Sequence, residues 1–120
     1  MLSQRMRHRI EIQEPVQTRD SDSGAVVTTW DTVQLDSDTP LDAVPAEVLT
    51  GPGRGEFMAA DARQAETDAR INFWWFPGLR YDMRILWDGR VYDIIGIETD
   101  RTGRIEYRTR CREGVHDGDL

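Results

Sequence analysis

Lysine is missing from this sequence: all 15 of its cationic side chains are arginines, set against 22 aspartates and glutamates for a net charge of −7 over 120 residues. An acidic surplus of that size argues against general affinity for nucleic acid, because phosphate binding depends on clustered cations that release counterions. Coding bias alone can produce an arginine-only chain, but arginine's planar fork also suits charged protein interfaces better than the point charge of lysine. Cysteine is reduced to Cys111, which excludes an internal disulfide and a cysteine-rich metal site. Histidine is nearly as scarce. Neither His8 nor His116 has a nucleophile or carboxylate spaced to make a triad, so no catalytic residue is assigned and no cofactor is implied. No hydrophobic run approaches the length of a membrane span and no apolar leader region opens the chain, so the expectation is a soluble protein made in the cytoplasm, with no membrane partner. The length suits one domain with a modest core.

What is present is concentrated between Ala65 and Ile97, which hold three of the four tryptophans. The first part alternates with period two, placing Ala69, Ile71, Phe73 and Trp75 on one face and Arg70, Asn72, Trp74 and Phe76 on the other, until Pro77-Gly78 ends it. Asp88-Gly89 then marks a two-residue type I′ hairpin, since both positions tolerate positive φ. Such a loop sets the register: Trp87 opposite Arg90, Leu86 opposite Val91, Ile85 opposite Tyr92, Arg84 opposite Asp93 and Met83 opposite Ile94.

Elsewhere Met6, His8, Ile10 and Ile12 alternate with polar residues, predicting a half-buried strand that ends at Pro15. The turn-forming segment Thr18 to Gly24 predicts a long, mobile loop before a β-branched strand from Val26 to Val33. Gln34 to Pro45 is acidic and broken by proline, and reads as an exposed excursion. Pro45 to Leu49 returns briefly to the sheet, and Glu56 to Ala62 is a short helix former after the glycine-rich turn TGPGRG. A last strand places Ile105, Tyr107, Thr109 and Cys111 on one face and Arg104, Glu106, Arg108, Arg110 and Arg112 on the other. The whole reads as a mostly β protein: a small antiparallel barrel of about six strands with one short helix and long exposed loops, a single domain over residues 1–113 with a flexible tail over 114–120.

The chemistry-bearing candidates are few. Asp36, Asp38, Asp42 and Glu47 fall at positions one, three, seven and twelve of a calcium loop, but Pro40 stands fifth and Leu41 sixth, where the sharp turn needs glycine, so no metal is assigned. The acidic residues Asp20, Asp22, Asp36, Asp38 and Asp42 read instead as solvated, partner-contacting loops. His8 is expected to be a partly buried core histidine and Cys111 a small core residue. Trp74 and Phe76 share a face that is otherwise polar, so they need cover from the nearby helix or from a neighbouring subunit. The arginine face of the last strand, including Arg108 and Arg110, reads as a solvated face paired with acidic side chains of the same or the next subunit.

In order, the pieces RHRIEIQEP, TTWDTV, GRGEFMAAD, ARINFWWFPGL and MRILWDGRVYDIIGI resemble those of the small head-tail connector proteins of tailed bacteriophages and gene-transfer particles, also called head-closure, stopper or head-tail adaptor proteins. The segment Leu35 to Val44 is longer than members of that family usually carry. The resemblance implies a virion protein at the head-tail junction and a homo-oligomeric ring below the portal. Its partners would be the portal or adaptor protein on the head side and the tail or tail-terminator protein on the other, with transient, non-specific contact with channel DNA. In that setting Trp74, Phe76, Arg108 and Arg110 are candidates for the ring interface. The alternative reading is a small barrel of the oligonucleotide-binding type, with Trp74, Phe76 and the arginines as a stacking groove for single-stranded nucleic acid.

Overall fold

The computed structural model describes residues 6–50, 68–99 and 102–114. Seven strands account for most of them: β1 (His8–Arg19), β2 (Val26–Thr32), β3 (Val44–Leu49), β4 (Ala69–Trp74), β5 (Arg84–Trp87), β6 (Arg90–Thr99) and β7 (Glu106–Glu113). They hydrogen-bond in the order β2-β1-β3-β4-β7-β6-β5, every pair antiparallel, and β5 pairs back onto β1. Six strands therefore close a barrel, with β2 an extra strand outside it. The helix expected over Glu56 to Ala62 and the tail from residue 115 lie outside the described residues.

The Asp88-Gly89 hairpin forms as its sequence predicts. Both residues adopt positive φ, 54° and 73°, and Arg84, Ile85, Leu86 and Trp87 face Asp93, Tyr92, Val91 and Arg90. The ladder stops one pair short of Met83–Ile94, because the Met83 N–H turns back to the Arg80 carbonyl. Alternation then fills the interior from every strand of the barrel: Ile10 and Ile12 of β1, Ala46 of β3, Ala69, Ile71 and Phe73 of β4, Ile85 of β5, Tyr92 and Ile94 of β6, Tyr107 and Cys111 of β7. His8 is half-buried and meets Trp87 edge-on at 5.2 Å. Within this apolar interior the Thr109 hydroxyl of β7 donates to the Ile71 carbonyl at 2.6 Å, which satisfies a buried polar group.

Three sequence expectations fail for identifiable reasons. Strand β1 does not stop at Pro15 but runs to Arg19. Val33 donates its N–H to the Ile12 carbonyl, so the even-numbered residues of β1 carry the ladder to β2 and Pro15, opposite Trp30, points its ring nitrogen toward the open edge. Phe76 is not on the outer face with Trp74. Strand β4 ends at Trp74, alternation ends with it, and Phe76 is buried, stacked on Phe73 and edge-on to Tyr107, whose hydroxyl donates to the Phe76 carbonyl. Ile105, expected inside, is 56% exposed, since Arg104 takes a left-handed conformation (φ 47°) and β7 starts only at Glu106.

The core should therefore answer to truncation while the exposed part of β2 should not. Phe73→Ala is expected to cost about 3–5 kcal/mol in a urea titration, whereas Val27→Ala should stay within about 0.5 kcal/mol.

Candidate functional site

From Glu14 onward β1 leaves the barrel and pairs only with β2, and residues 17–29 are exposed on both faces. The two strands thus form an arm that stands clear of the barrel. A two-stranded hairpin is marginal by itself, and this one is held at its root. Glu11 accepts hydrogen bonds from Gln13 and from the Thr32 hydroxyl, and the Gln13 side-chain oxygen accepts from Arg84 Nε at 2.8 Å. Arg84, itself buried, lies 4.1 Å from the centre of the Trp30 ring. On the open edge, Arg80 reaches Glu14 at 3.2 Å and Asp82 at 2.9 Å.

The arm's tip is short and ordered, not the long mobile loop its composition suggests. Thr18 and Arg19 are already in β1, and Asp20 closes the turn. Its N–H donates to the Ala25 carbonyl, its own carbonyl accepts from Gly24 (φ 74°), and its carboxylate accepts the Asp22 N–H at 2.9 Å and the Ser23 hydroxyl at 3.2 Å. The excursion after β2 repeats the device. Asp36 Oδ1 accepts the Asp38 N–H at 2.9 Å, and Leu35 and Thr39 close a tight turn. The common signal is the tripeptide Asp-Ser-Asp at 20–22 and 36–38, in which the first carboxylate caps the turn and the second stays exposed. This excursion is not loose either: Leu41 donates to Val33 and accepts from Ile12, and the Val33 and Leu41 side chains join the core. Asp42 is exposed just beyond that anchor. Glu47 belongs to β3, where it accepts the Asn72 amide at 2.8 Å, so a calcium-loop arrangement with Asp36 and Asp38 does not form.

Across the barrel, β4 and β7 present Trp74, 37% exposed, together with Arg108 and Arg110. Arg108 faces Glu98 on β6 and contacts Glu106 at 3.5 Å. Arg110 lies between Arg70 and Gly96, with no carboxylate opposite it on either neighbouring strand. Its guanidinium rests on Gly96, where a Cβ would stand 2.6 Å away. Phe76, the fourth residue expected here, belongs to the core, which removes the second aromatic platform from the stacking-groove reading. The Cys111 thiol is fully buried, and burial pushes its pKa up to about 12, so it stays protonated.

A family model described as phage head completion protein matches residues 1–114. The chain belongs to the phage head completion protein family. Among solved structures it is similar to the solution structure of protein SF1141 from Shigella flexneri 2a, at 28% identity and a TM-score of 0.69, over 94% of this chain and 96% of that one. No curated protein matches it. Membership makes this head completion protein a structural component of the phage virion with a role in the head, and the expected likeness to head-closure proteins and the β-barrel fold both hold. The interaction network at the arm root was not legible beforehand: Arg84 is 71 residues from Gln13 and Arg80 is 66 from Glu14, and no local pattern connects them.

Two outcomes follow for this head completion protein. Arg84→Ala should cost about 1–3 kcal/mol, shift Trp30 emission to the red and weaken amide protection along the arm, whereas Arg80→Ala, an exposed pair, should cost less than about 1 kcal/mol. Asp20 and Asp36 are held below the ordinary carboxylate range, first by the backbone N–H two residues on and then by the Ser23 and Thr39 hydroxyls. Because the folded pKa is lowered, the turns keep this support above about pH 3.9 and lose it as pH falls through the lowered value. In an NMR titration the Asp22 and Asp38 amide protons should move upfield in that acidic window while core amides stay put.

Proposed function

We infer that this head completion protein assembles as a homo-oligomeric ring at the head-tail junction, below the portal, and joins the DNA-filled head to the tail. The observation that carries the reading is the arm. A closed barrel is a rigid wedge, and a β-hairpin locked to it by Arg84 and Arg80, with two exposed acidic turns on the same side of β1, is a device for contact with other proteins. The portal or adaptor protein would lie on the head side and the tail or tail-terminator protein on the other. The acidic tips Asp22 and Asp38 repel phosphate, so contact with channel DNA stays transient and non-specific, which lets the genome pass while the ring helps to retain it after packaging.

Replacing Asp22, Asp38 and Asp42 with serine spares Asp20, Asp36 and Leu41, and so leaves both turns and the core intact. Particles built with that variant should contain filled heads with few joined tails, and electron microscopy of unaltered particles should place the protein between portal and tail. Normal tailed particles from the triple variant would remove the acidic turns from the reading. Density for the protein elsewhere in the particle would overturn it altogether.

A further inference from the structure

The closed strand order sets two surfaces against each other. Around the barrel the sequence is β1-β3-β4-β7-β6-β5, so β7 lies three strands from β1 in either direction. The acidic arm therefore leaves one flank, and the strand bearing Arg108, Arg110 and Arg112 occupies the opposite flank. Alternating strand directions also make β1 and β4 run the same way, so the arm extends from the barrel end at which β4 finishes with Trp74 and β7 begins.

The two surfaces are complementary in kind. The arm from Gln17 to Thr32 carries Asp20, Asp22 and Asp31 against one cation, Arg19, whose guanidinium is turned onto the Gly24 carbonyl at 2.9 Å. It also exposes Val26 and Val27. The far flank exposes Trp74 and Arg108 and holds Arg110, whose Nε is buried with no hydrogen-bond partner among the described residues. Glu98 and Glu106 answer Arg108 in part, but Arg110 has an arginine on one side and a glycine on the other. An aspartate arriving from outside would give Arg110 the carboxylate that neither residue opposite it provides. A surface on one flank that complements a different surface on the other makes a heterologous, head-to-tail contact, the kind that closes into a ring when the rotation permits.

We propose that the arm of one copy docks on the β4–β7 flank of a second copy of this chain, with Asp22 and its neighbours against Arg110 and Arg108, and Val26 and Val27 against Trp74. This rests on the ring reading above and names its interface.

The test is charge reversal with complementation, followed by analytical ultracentrifugation of the whole chain at low ionic strength, about 10 mM salt, where the screening length is about 30 Å. The arm variant carries Ser21→Arg and Asp22→Arg, which keeps the Asp20 turn. The flank variant carries Arg108→Glu and Arg110→Glu. Unaltered protein should associate and dissociate as salt is added, each variant alone should sediment as monomer, and an equimolar mixture should associate again, because each variant then meets the opposite charge. Gly96→Ala supplies a reading that changes no charge, since its methyl displaces the Arg110 guanidinium, and it should weaken association while circular dichroism stays unchanged. Association that neither reversal disturbs would overturn this interface and leave a ring built through another one. Unaltered protein that remains monomeric at every salt concentration would overturn the interface and count against the ring itself. A mixture that fails to re-associate would also overturn the pairing.

Discussion

Three residue pairs between β1 and β5, Glu11–Leu86, Ile12–Ile85 and Gln13–Arg84, close the barrel, and most of the structure follows from how short that seam is. Strand β1 pairs with β3 through Ile10 and with β5 from Glu11 to Gln13, so its remaining residues have no barrel partner and extend outward. The Ile12 backbone is used completely at this crossing, donating to Leu41 and accepting from Val33, which ties the excursion between β2 and β3 to the same point. Where the four residues of β5 give out, the loop before it fills the gap. Arg80 reaches back to Glu14, and the Tyr81 hydroxyl accepts the Ile97 N–H on the exposed margin of β6. Closure of this kind removes most free strand edges. Among the described residues, the arm keeps the long open edges, on β2 and on β1 beyond Gln13.

An arm with two open edges would be a poor lever if it swung freely. Its stiffness comes from desolvating a cation: Arg84 is buried on the outside of the barrel wall, and Trp30 covers it from the arm. A buried guanidinium is costly unless its hydrogen bonds are met, so Gln13, and through it Glu11 and Thr32, are drawn into one connected group that spans β1, β2 and β5. The arm's direction is thus set by polar geometry at its root, and its exposed half is relieved of any structural duty.

Legibility in the sequence divides along the same line. The β5–β6 hairpin could be read to the residue pair because a two-residue loop leaves the register no freedom, and the inward faces of β1, β4 and β7 could be read because one side of each is buried. Local rules fail where they meet a tertiary exception. Proline signals the end of a strand only if its nitrogen faces a partner, and Pro15 faces outward. Alternation assigns Phe76 outward only if the strand continues, and it stops two residues earlier. The acidic turns read as exposed charge, and their order is carried by the repeated Asp-Ser-Asp. The contacts of Arg84 and Arg80 depend on which strands become neighbours, and nothing near them in the chain announces it.

The absence of lysine takes on a physical meaning in this setting. Arg84 must sit over an indole while sending one N–H to Gln13, and Arg80 must divide itself between Glu14 and Asp82. Arg110 spreads over the bare backbone of Gly96 at the bulge where β6 shifts register between Ile94 and Gly96. Each of these uses the breadth or the several fixed donors of a guanidinium, and an ammonium on a flexible stem could supply only part of it. Whatever put arginine at all fifteen positions, at least these three have become part of how the barrel, the arm and the flank are held in relation to one another.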